Sequence, residues 1–202
     1  MKKIGLFGGT FNPFHNGHFA IAQAFADEVG LDMVVLLPAG NPYHKEDPTG
    51  VSAQHRLEMT ALAAEADERF AVSDCDIVRE GKTYTFDTVQ VFRQQFPSAE
   101  LWWLMGMDSL LQLHTWHKWQ TLVKQVNIAV AVRQDSHLSQ APQALHAWLG
   151  NALQDGSLKL LQTPMYNISS TEIREAVRTG RDTGGVLDRK VEQYIRQHHL
   201  YR

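Results

Sequence analysis

Short apolar runs alternate with helix-like stretches along the whole chain, and this alternation constrains the fold more than any other feature. Six runs are predicted to be strands: Lys3–Phe7, Met33–Leu37, Phe70–Ser73, Leu101–Met105, Val126–Val132 and Leu158–Leu161. Continuous apolar runs are typical of strands that are buried on both faces. Because strands that alternate with helices are joined by right-handed crossovers, we predict an α/β fold, a doubly wound and mainly parallel sheet with helices on both faces.

The helix signals complete this pattern, and the last two predicted helices follow the last predicted strand. Six stretches are predicted to be helices: Asn16–Gly30, Ser52–Ala66, Thr85–Phe96, Pro142–Leu153, Ser169–Val177 and Asp188–His199. No repeat or low-complexity linker divides the 202 residues. We therefore predict a single domain over residues 1–202, in which 178–202 form a helical C-terminal appendage.

Composition excludes several broad classes of protein. The formal net charge is −3 and the pI is near 6.3, so a general attraction to nucleic acid or to an anionic membrane is not expected. The single cysteine, Cys75, cannot form an internal disulfide. A signal-peptide core and an apolar run of the ~18 residues that a membrane span needs are both missing. We predict a cytoplasmic protein without a nucleic-acid or membrane partner.

The segment Gly8–His18 follows the first predicted strand and leads into the first predicted helix. It contains two adjacent glycines, Gly8 and Gly9, which we expect to form a tight turn, and two histidines three residues apart. Backbone N–H groups at a helix N-terminus favour anions, and residues at i and i+3 share one helix face. The segment is therefore predicted to bind phosphate, with His15 and His18 pointing the same way.

Other sites that this segment could represent lack their required residues. The chain contains neither the Gly-x-x-x-x-Gly-Lys-[Ser/Thr] of a P-loop nor the Gly-x-Gly-x-x-Gly of a dinucleotide site. A zinc site needs three or four protein ligands, and no cysteine cluster or His-Glu-x-x-His accompanies His15 and His18. We therefore predict no metal ligands among the protein's side chains.

Two motifs together resemble those of the nucleotidyltransferase superfamily of small adenylyl- and cytidylyltransferases. Gly8–His18 is similar to its Gly-x-Phe-x-Pro-x-His-x-x-His signature, and Ile168–Arg174 is similar to its Ile-Ser-x-Thr-x-Ile-Arg signature. Four further segments narrow the resemblance to the bacterial nicotinate-nucleotide adenylyltransferases: Pro38–Lys45, Tyr84–Thr88, Met105–Leu110 and Thr115–Trp119. The resemblance covers nearly the whole chain and implies a Rossmann-like sheet.

The reaction implied by this resemblance joins ATP and nicotinate mononucleotide to give deamido-NAD and pyrophosphate in NAD biosynthesis. The attacking phosphate is already an anion, so the enzyme must orient the reactants and stabilise charge rather than supply a base. The resemblance assigns this catalytic role to four residues: His15, His18, Lys45 and Arg174. It assigns ATP binding to the following residues: Gly8, Gly9, Thr10, Phe11, His15, His18, Gly106, Asp108, Arg133, Ile168, Ser169, Ser170 and Arg174.

The resemblance also assigns the mononucleotide site. Its residues are Asn41, His44, Lys45, Thr85, Asp108, Trp116 and His117. The pyridine ring of the nucleotide is flat and cationic, so the Trp116 indole can bind it by stacking and cation–π attraction. The Thr85 hydroxyl and nearby backbone N–H groups can bind its carboxylate. One departure from the family lies after the fifth strand, where Arg-Pro-Gly is replaced by Arg133-Gln134-Asp135.

Each of these residues also has an ordinary structural interpretation. One histidine can cap the first helix, Thr85 and Asp108 can be helix caps, and Trp116 can be a half-buried core residue. Ser169 with Glu172 fits a capping box, in which the serine side chain caps the helix and Glu172 reaches back. The residues alone leave these interpretations open.

Two alternative functions also follow from the sequence. One is a related adenylyltransferase that acts on nicotinamide mononucleotide or another phosphorylated acceptor, and the other is a non-catalytic nucleotide-binding regulator. Mg²⁺ is expected to arrive with ATP, because this ion keeps several waters and uses phosphate oxygens. A homo-oligomer is compatible with the sequence.

Overall fold

A six-stranded sheet organises the computed structural model, which describes residues 1–40, 50–132, 138–162, 166 and 168–202. The strands are β1 (Lys3–Gly9), β2 (Met33–Pro38), β3 (Phe70–Val72), β4 (Glu100–Gly106), β5 (Asn127–Ala131) and β6 (Leu158–Leu161). Their order is β3-β2-β1-β4-β5-β6, the order of a doubly wound sheet. The pairs β1–β4, β4–β5 and β5–β6 are parallel. The predicted fold class is confirmed.

The helices come in the predicted places, with additional short ones. They are α1 (Asn16–Val29), α2 (Ala53–Ala64), α3 (Cys75–Val78), α4 (Thr85–Gln95), α5 (Met107–Leu111), α6 (Trp119–Leu122), α7 (Gln143–Asp155), α8 (Ser170–Arg178) and α9 (Arg189–Gln197). Local signals explain several of their ends. The Ser52 hydroxyl accepts the His55 N–H at 3.2 Å and begins α2, and the Asp188 carboxylate accepts the Lys190 N–H at 2.7 Å and begins α9.

Contacts within the chain form two compact units. The first consists of Met1–Phe7, Gln23–Val34 and Tyr84–Met165, and contains β4, β5 and β6. The second consists of Gly8–Ala22, Val35–Thr83 and Tyr166–Arg202, and contains α2, β3, α8 and α9. The single domain over residues 1–202 stays a prediction.

The core of the first unit is built on the apolar strands. In β4, residues Leu101 to Met105 are all buried, and Ile128 to Ala131 of β5 are buried beside them. The register places Trp103 opposite Ile128 and Met105 opposite Val130. A strand buried on both faces needs this continuous apolar sequence, so the pattern that predicted the strands also accounts for their burial.

The core of the second unit lies between helices. α9 packs against α2, and Val191 and Ile195 of α9 are buried, as are Met59 and Ala63 of α2. α2 also buries a charged residue, Arg56, which is 2% exposed. Among the described residues, no helix is long and apolar enough to cross a membrane.

Candidate active site

The segment after β1 turns just beyond a phenylalanine with an unusual backbone conformation. Gly8 and Gly9 continue the strand, so the predicted glycine turn at these residues is wrong. The turn lies instead at Asn12 and Pro13, and Phe11 just before it has a φ of 46°, in the left-handed region that non-glycine residues rarely adopt. A Cβ atom at Gly9 would lie 2.5 Å from Cε1 of Phe11. Gly9 is therefore needed because the ring of Phe11 folds back onto the strand.

His15 and His18 form a stacked pair at the start of α1. Their ring centroids are 3.7 Å apart and the ring planes differ by 19°. Each backbone N–H donates to the other residue's ring: His15 N–H to His18 Nδ1 and His18 N–H to His15 Nδ1, both at 3.3 Å. Because both Nδ1 atoms are acceptors, each neutral ring carries its proton on Nε2. The prediction that the two histidines point the same way is confirmed.

Burial keeps both imidazoles neutral. Loss of hydration lowers the pKa of His15 from 6.5 to about 4, partly opposed by a backbone hydrogen bond. Burial also lowers the pKa of His18, to about 3, and the neighbouring His15 adds a smaller decrease. At neutral pH the pair therefore presents two Nε2–H donors without a positive charge.

Gly17 allows this pair to pack closely. A Cβ atom at Gly17 would lie 3.0 Å from Nδ1 and 3.1 Å from Cε1 of His15, and 3.4 Å from the Cβ atom of Ile168. These distances are tighter than ordinary van der Waals contact, so any side chain at this position would push His15. Ile168, which the sequence assigns to the ATP site, thus lies against the same turn.

The second motif is joined to the first by hydrogen bonds. Arg174 Nη1 donates to the Asn12 carbonyl at 2.9 Å, and its Nη2 donates to Thr171 Oγ1 at 3.1 Å. The Ser170 hydroxyl donates to the Pro13 carbonyl at 3.3 Å. The start of α8 and the His15–His18 turn are therefore brought together, as the two-motif resemblance implies.

The capping box predicted at α8 is wrong in its main feature. Ser169 is the N-cap residue, but its side chain makes no capping hydrogen bond within the part of the chain that the structure describes. The predicted cap position is correct, since Ser170 is the first helical residue, and the Ser170 hydroxyl is bonded to the first motif. The tertiary contact of Ser170 replaces the local one predicted for Ser169.

Arg56 is bonded to the backbone of the candidate site and was not predicted from the sequence. Its Nη1 donates to the Thr10 carbonyl at 2.8 Å and its Nη2 donates to the Gly40 carbonyl at 3.3 Å. A signal was available, because Arg56, Met59, Thr60 and Ala63 follow the i, i+3, i+4, i+7 spacing of one helix face, and all four are buried. An arginine on an apolar helix face must be satisfied by specific acceptors.

His117, which is assigned to the mononucleotide site, lies in an aromatic group of the first unit. Tyr84 stacks on His117 with centroids 4.6 Å apart, and Phe86 meets His117 edge-on at 6.0 Å. The Lys118 ammonium lies 4.6 Å from the centroid of the Phe86 ring. Trp116 is half-buried and precedes His117 directly. Tyr84 and Phe86, which the sequence did not assign to the site, thus position His117.

Two cap interpretations in this unit are also wrong. The N-cap of α4 is Tyr84, and Thr85 is the first helical residue. The N-cap of α5 is Gly106, the last residue of β4, and Asp108 is an exposed residue in the first turn. The side chains of Thr85 and Asp108 therefore do not cap these helices.

Four assigned residues, Asn41, His44, Lys45 and Arg133, lie outside the described residues. Across the residues that are described, no group of three or more His, Cys, Asp or Glu side chains could hold a metal ion.

Comparisons with known proteins agree with the two motifs. Residues 6–176 match the cytidylyltransferase-like family. The chain is 66% identical over 201 residues to the probable nicotinate-nucleotide adenylyltransferase of Neisseria gonorrhoeae, covering 100% of this chain and 99% of that protein. It is 41% identical over 202 residues to the protein of the same name from Bordetella petrii, covering 100% of both.

A solved structure shares the fold at low identity. It is the Plasmodium falciparum nicotinic acid mononucleotide adenylyltransferase complexed with APC, with a TM-score of 0.71 and 15% identity. The match covers 100% of this chain and 98% of that one.

Proposed function

Because the chain belongs to the cytidylyltransferase-like family and, within it, to the nicotinate-nucleotide adenylyltransferases, we propose that it transfers the adenylyl group of ATP to nicotinate mononucleotide. A phosphate oxygen of the mononucleotide attacks the α-phosphorus of ATP, and the bond from that phosphorus to the β-phosphate oxygen breaks. The products are deamido-NAD and pyrophosphate. No proton has to be removed from the attacking group.

The junction between the two motifs is the observation that carries this proposal. His15 and His18 offer two Nε2–H donors from a rigid stack, and Arg174 is held beside them by the Asn12 carbonyl. A guanidinium has five N–H donors, and those beyond the two bonds described can bind the β- and γ-phosphates. Fixed donors stabilise the charge that develops during phosphoryl transfer without reorganising at that moment.

Neutral histidines suit a site that is empty before ATP binds. A cation at His18 would have to be desolvated before ATP arrives, whereas a neutral Nε2–H donor is ready to bind a phosphate oxygen. Bound phosphates would raise the pKa of both rings, because a nearby anion favours the charged form. We propose that His18 lies nearest the α-phosphate, and that Gly8, Gly9, Thr10, Phe11, Ile168, Ser169 and Ser170 complete the ATP site with Gly106, Asp108 and Arg133.

The acceptor site would be built from the aromatic group of the first unit. Trp116 stacks on the pyridine ring, and the first N–H groups of α4, together with the Thr85 hydroxyl, bind its carboxylate. The first N–H groups of any helix have no partner within that helix, which suits an anion. Asp108 accepts ribose hydroxyls, and His117 contributes a further donor. Asn41, His44 and Lys45 are proposed to contact the phosphates and the acceptor.

Nucleotidyl transfer generally uses a divalent metal ion, and we propose Mg²⁺ for this chain. The ion supplies charge neutralisation on the ATP phosphates. The donor set fits a metal that arrives with ATP, because no cage of carboxylates is found among the described residues. We further propose that the protein works in the cytoplasm without a nucleic-acid partner. A homo-oligomer is compatible with this function.

A pyrophosphate-release assay tests the function directly. ATP and Mg²⁺ are supplied with nicotinate mononucleotide, nicotinamide mononucleotide or pantetheine phosphate as the acceptor. We expect release with the first acceptor at a kcat/KM at least tenfold above the other two, because a carboxylate site rejects a neutral amide that leaves its donors unpaired. Release that is fastest with either of the other acceptors contradicts the proposal, and no release with any of them contradicts it as well.

A further inference from the structure

The penultimate residue of the chain is held in place at an energetic cost. After α9 ends at Gln197, both His199 and Tyr201 adopt left-handed backbone conformations, with φ of 51° and 64°. Such conformations persist in non-glycine residues only where surrounding contacts determine them. Tyr201 is buried, with only 8% of its surface exposed. The C-terminus therefore makes contacts that outweigh its strain.

The hydroxyl of Tyr201 reaches the first motif. It donates a hydrogen bond of 2.5 Å to Oδ1 of Asn12, which is itself 6% exposed. The main-chain carbonyl of Asn12 also accepts a hydrogen bond of 2.9 Å from Arg174 Nη1. The buried Asn12 is thus bonded to Tyr201 through its side chain and to Arg174 through its backbone.

We infer that Tyr201 is a positioning residue for adenylyl transfer, which rests on the function proposed above. By fixing the Asn12 side chain, Tyr201 holds the Asn12 backbone, and the Asn12 carbonyl in turn aims Arg174 at the phosphates. Asn12 lies three residues before His15, so the same bond limits the movement of the histidine pair. Small displacements of positioned donors are costly to the chemical step, so the bond acts on kcat.

Tyr194 provides a matched control for this inference. Its hydroxyl is hydrogen-bonded to His55 Nδ1 at 2.9 Å, and it lies in the same C-terminal segment, on α9. Tyr194→Phe and Tyr201→Phe each remove one buried or half-buried hydroxyl from that segment. A purely structural effect would therefore lower the unfolding midpoint in both variants and would leave their kcat values similar to each other.

The test measures kcat, both KM values and urea unfolding for the two variants. We expect Tyr201→Phe to lower kcat about 10-fold, as loss of one buried hydrogen bond allows, with the KM for nicotinate mononucleotide changed less than twofold. Tyr194→Phe should stay within twofold of the parent kcat. Equal kcat values in the two variants overturn the inference, as does a loss that appears only in the KM for nicotinate mononucleotide.

A double-mutant cycle tests the route through Asn12. If Tyr201 acts through that side chain, Tyr201→Phe should lower kcat less than twofold in an Asn12→Leu background. Asn12→Asp keeps an acceptor for the hydroxyl and should retain the sensitivity to Tyr201→Phe. Independent, multiplying losses in the Asn12→Leu background contradict this route.

A spectroscopic measurement separates this inference from the proposed function. The imidazole ¹⁵N signals of His15 and His18 should shift in Tyr201→Phe and stay in place in Tyr194→Phe, at a temperature where both variants are folded. This result does not depend on which acceptor the parent protein uses. A parent protein that releases no pyrophosphate contradicts the proposed function, whereas unchanged imidazole signals in Tyr201→Phe contradict the inference.

Discussion

The neutral histidine pair makes the stability of the protein depend on pH in a definite direction. In the folded protein the pKa values of His15 and His18 are lowered to about 4 and about 3, from 6.5. A lowered pKa means that the unfolded chain binds protons more readily than the folded one. The contribution of this pair to stability is therefore fully present above pH 6.5 and is lost as the pH falls toward 4.

The size of the effect follows from the pKa values. At pH 5 the solution is 1.5 pH units below the ordinary pKa of 6.5 and still above both lowered values. One pKa unit corresponds to about 1.4 kcal/mol, so each histidine should cost about 2 kcal/mol of unfolding free energy between pH 7 and pH 5. The remaining histidines and carboxylates contribute equally to parent and variants, so they cancel in a comparison.

Urea unfolding at pH 7 and pH 5 measures this difference. His15→Asn and His18→Asn remove the titration and place an amide oxygen near the position of Nδ1, where it can accept the backbone N–H. Each variant should lose about 2 kcal/mol less than the parent on going to pH 5. Equal losses in the parent and both variants would refute the reasoning, and so would ¹⁵N spectra that show either imidazole protonated at pH 6.

Four further predictions concern turnover and substrate choice. His18→Ala should still bind ATP in calorimetry but lose about two to four orders of magnitude in kcat, because one fixed donor to the transition state is removed. Gly17→Ala should lower kcat more than it lowers the unfolding midpoint, since its Cβ atom would lie 3.0 Å from Nδ1 of His15; a normal kcat would show that the ring moves without consequence. Thr85→Val should reduce kcat/KM for the nicotinate acceptor more than for the nicotinamide acceptor, while Thr85→Ser should not; equal reductions for both acceptors would remove Thr85 from the carboxylate site. Trp116→Ala should raise the KM for the mononucleotide and leave the KM for ATP unchanged; the opposite pattern in steady-state kinetics would place the acceptor elsewhere.

Local sequence signals were enough to predict the sheet and most helices. The strands β4 and β5 were predicted because a short, continuous apolar run is typical of a strand that is buried on both faces. The start of α2 followed from Ser52, whose cap depends only on residues within one turn. The two motifs that indicate the family were also readable, because their residue types and spacing are local features of the sequence.

The errors came where packing overrode a local sequence signal. Ser169 is the N-cap, as the capping box predicts, but its side chain makes no capping hydrogen bond, and the neighbouring Ser170 hydroxyl is bonded to the Pro13 carbonyl. Gly8 and Gly9 look like a turn, but they remain in β1, and the strained residue is Phe11. The Ser170 bond joins segments 157 residues apart, whereas Gly9 is in contact with the ring of Phe11, only two residues away. In both cases packing outweighed a local propensity worth about 1 kcal/mol.

The sequence by itself determined the order of elements and the buried strands, and it led to the proposal of a phosphate site near His15 and His18. Only the tertiary structure decided that both imidazoles are neutral Nε2–H donors, because burial and the crossed hydrogen bonds set their pKa and tautomer. It also brought Arg56 and Tyr201 to the first motif, over separations of 46 and 189 residues. No local pattern encodes contacts between residues so far apart in sequence, because they form only when the rest of the chain has folded and packed against the motif.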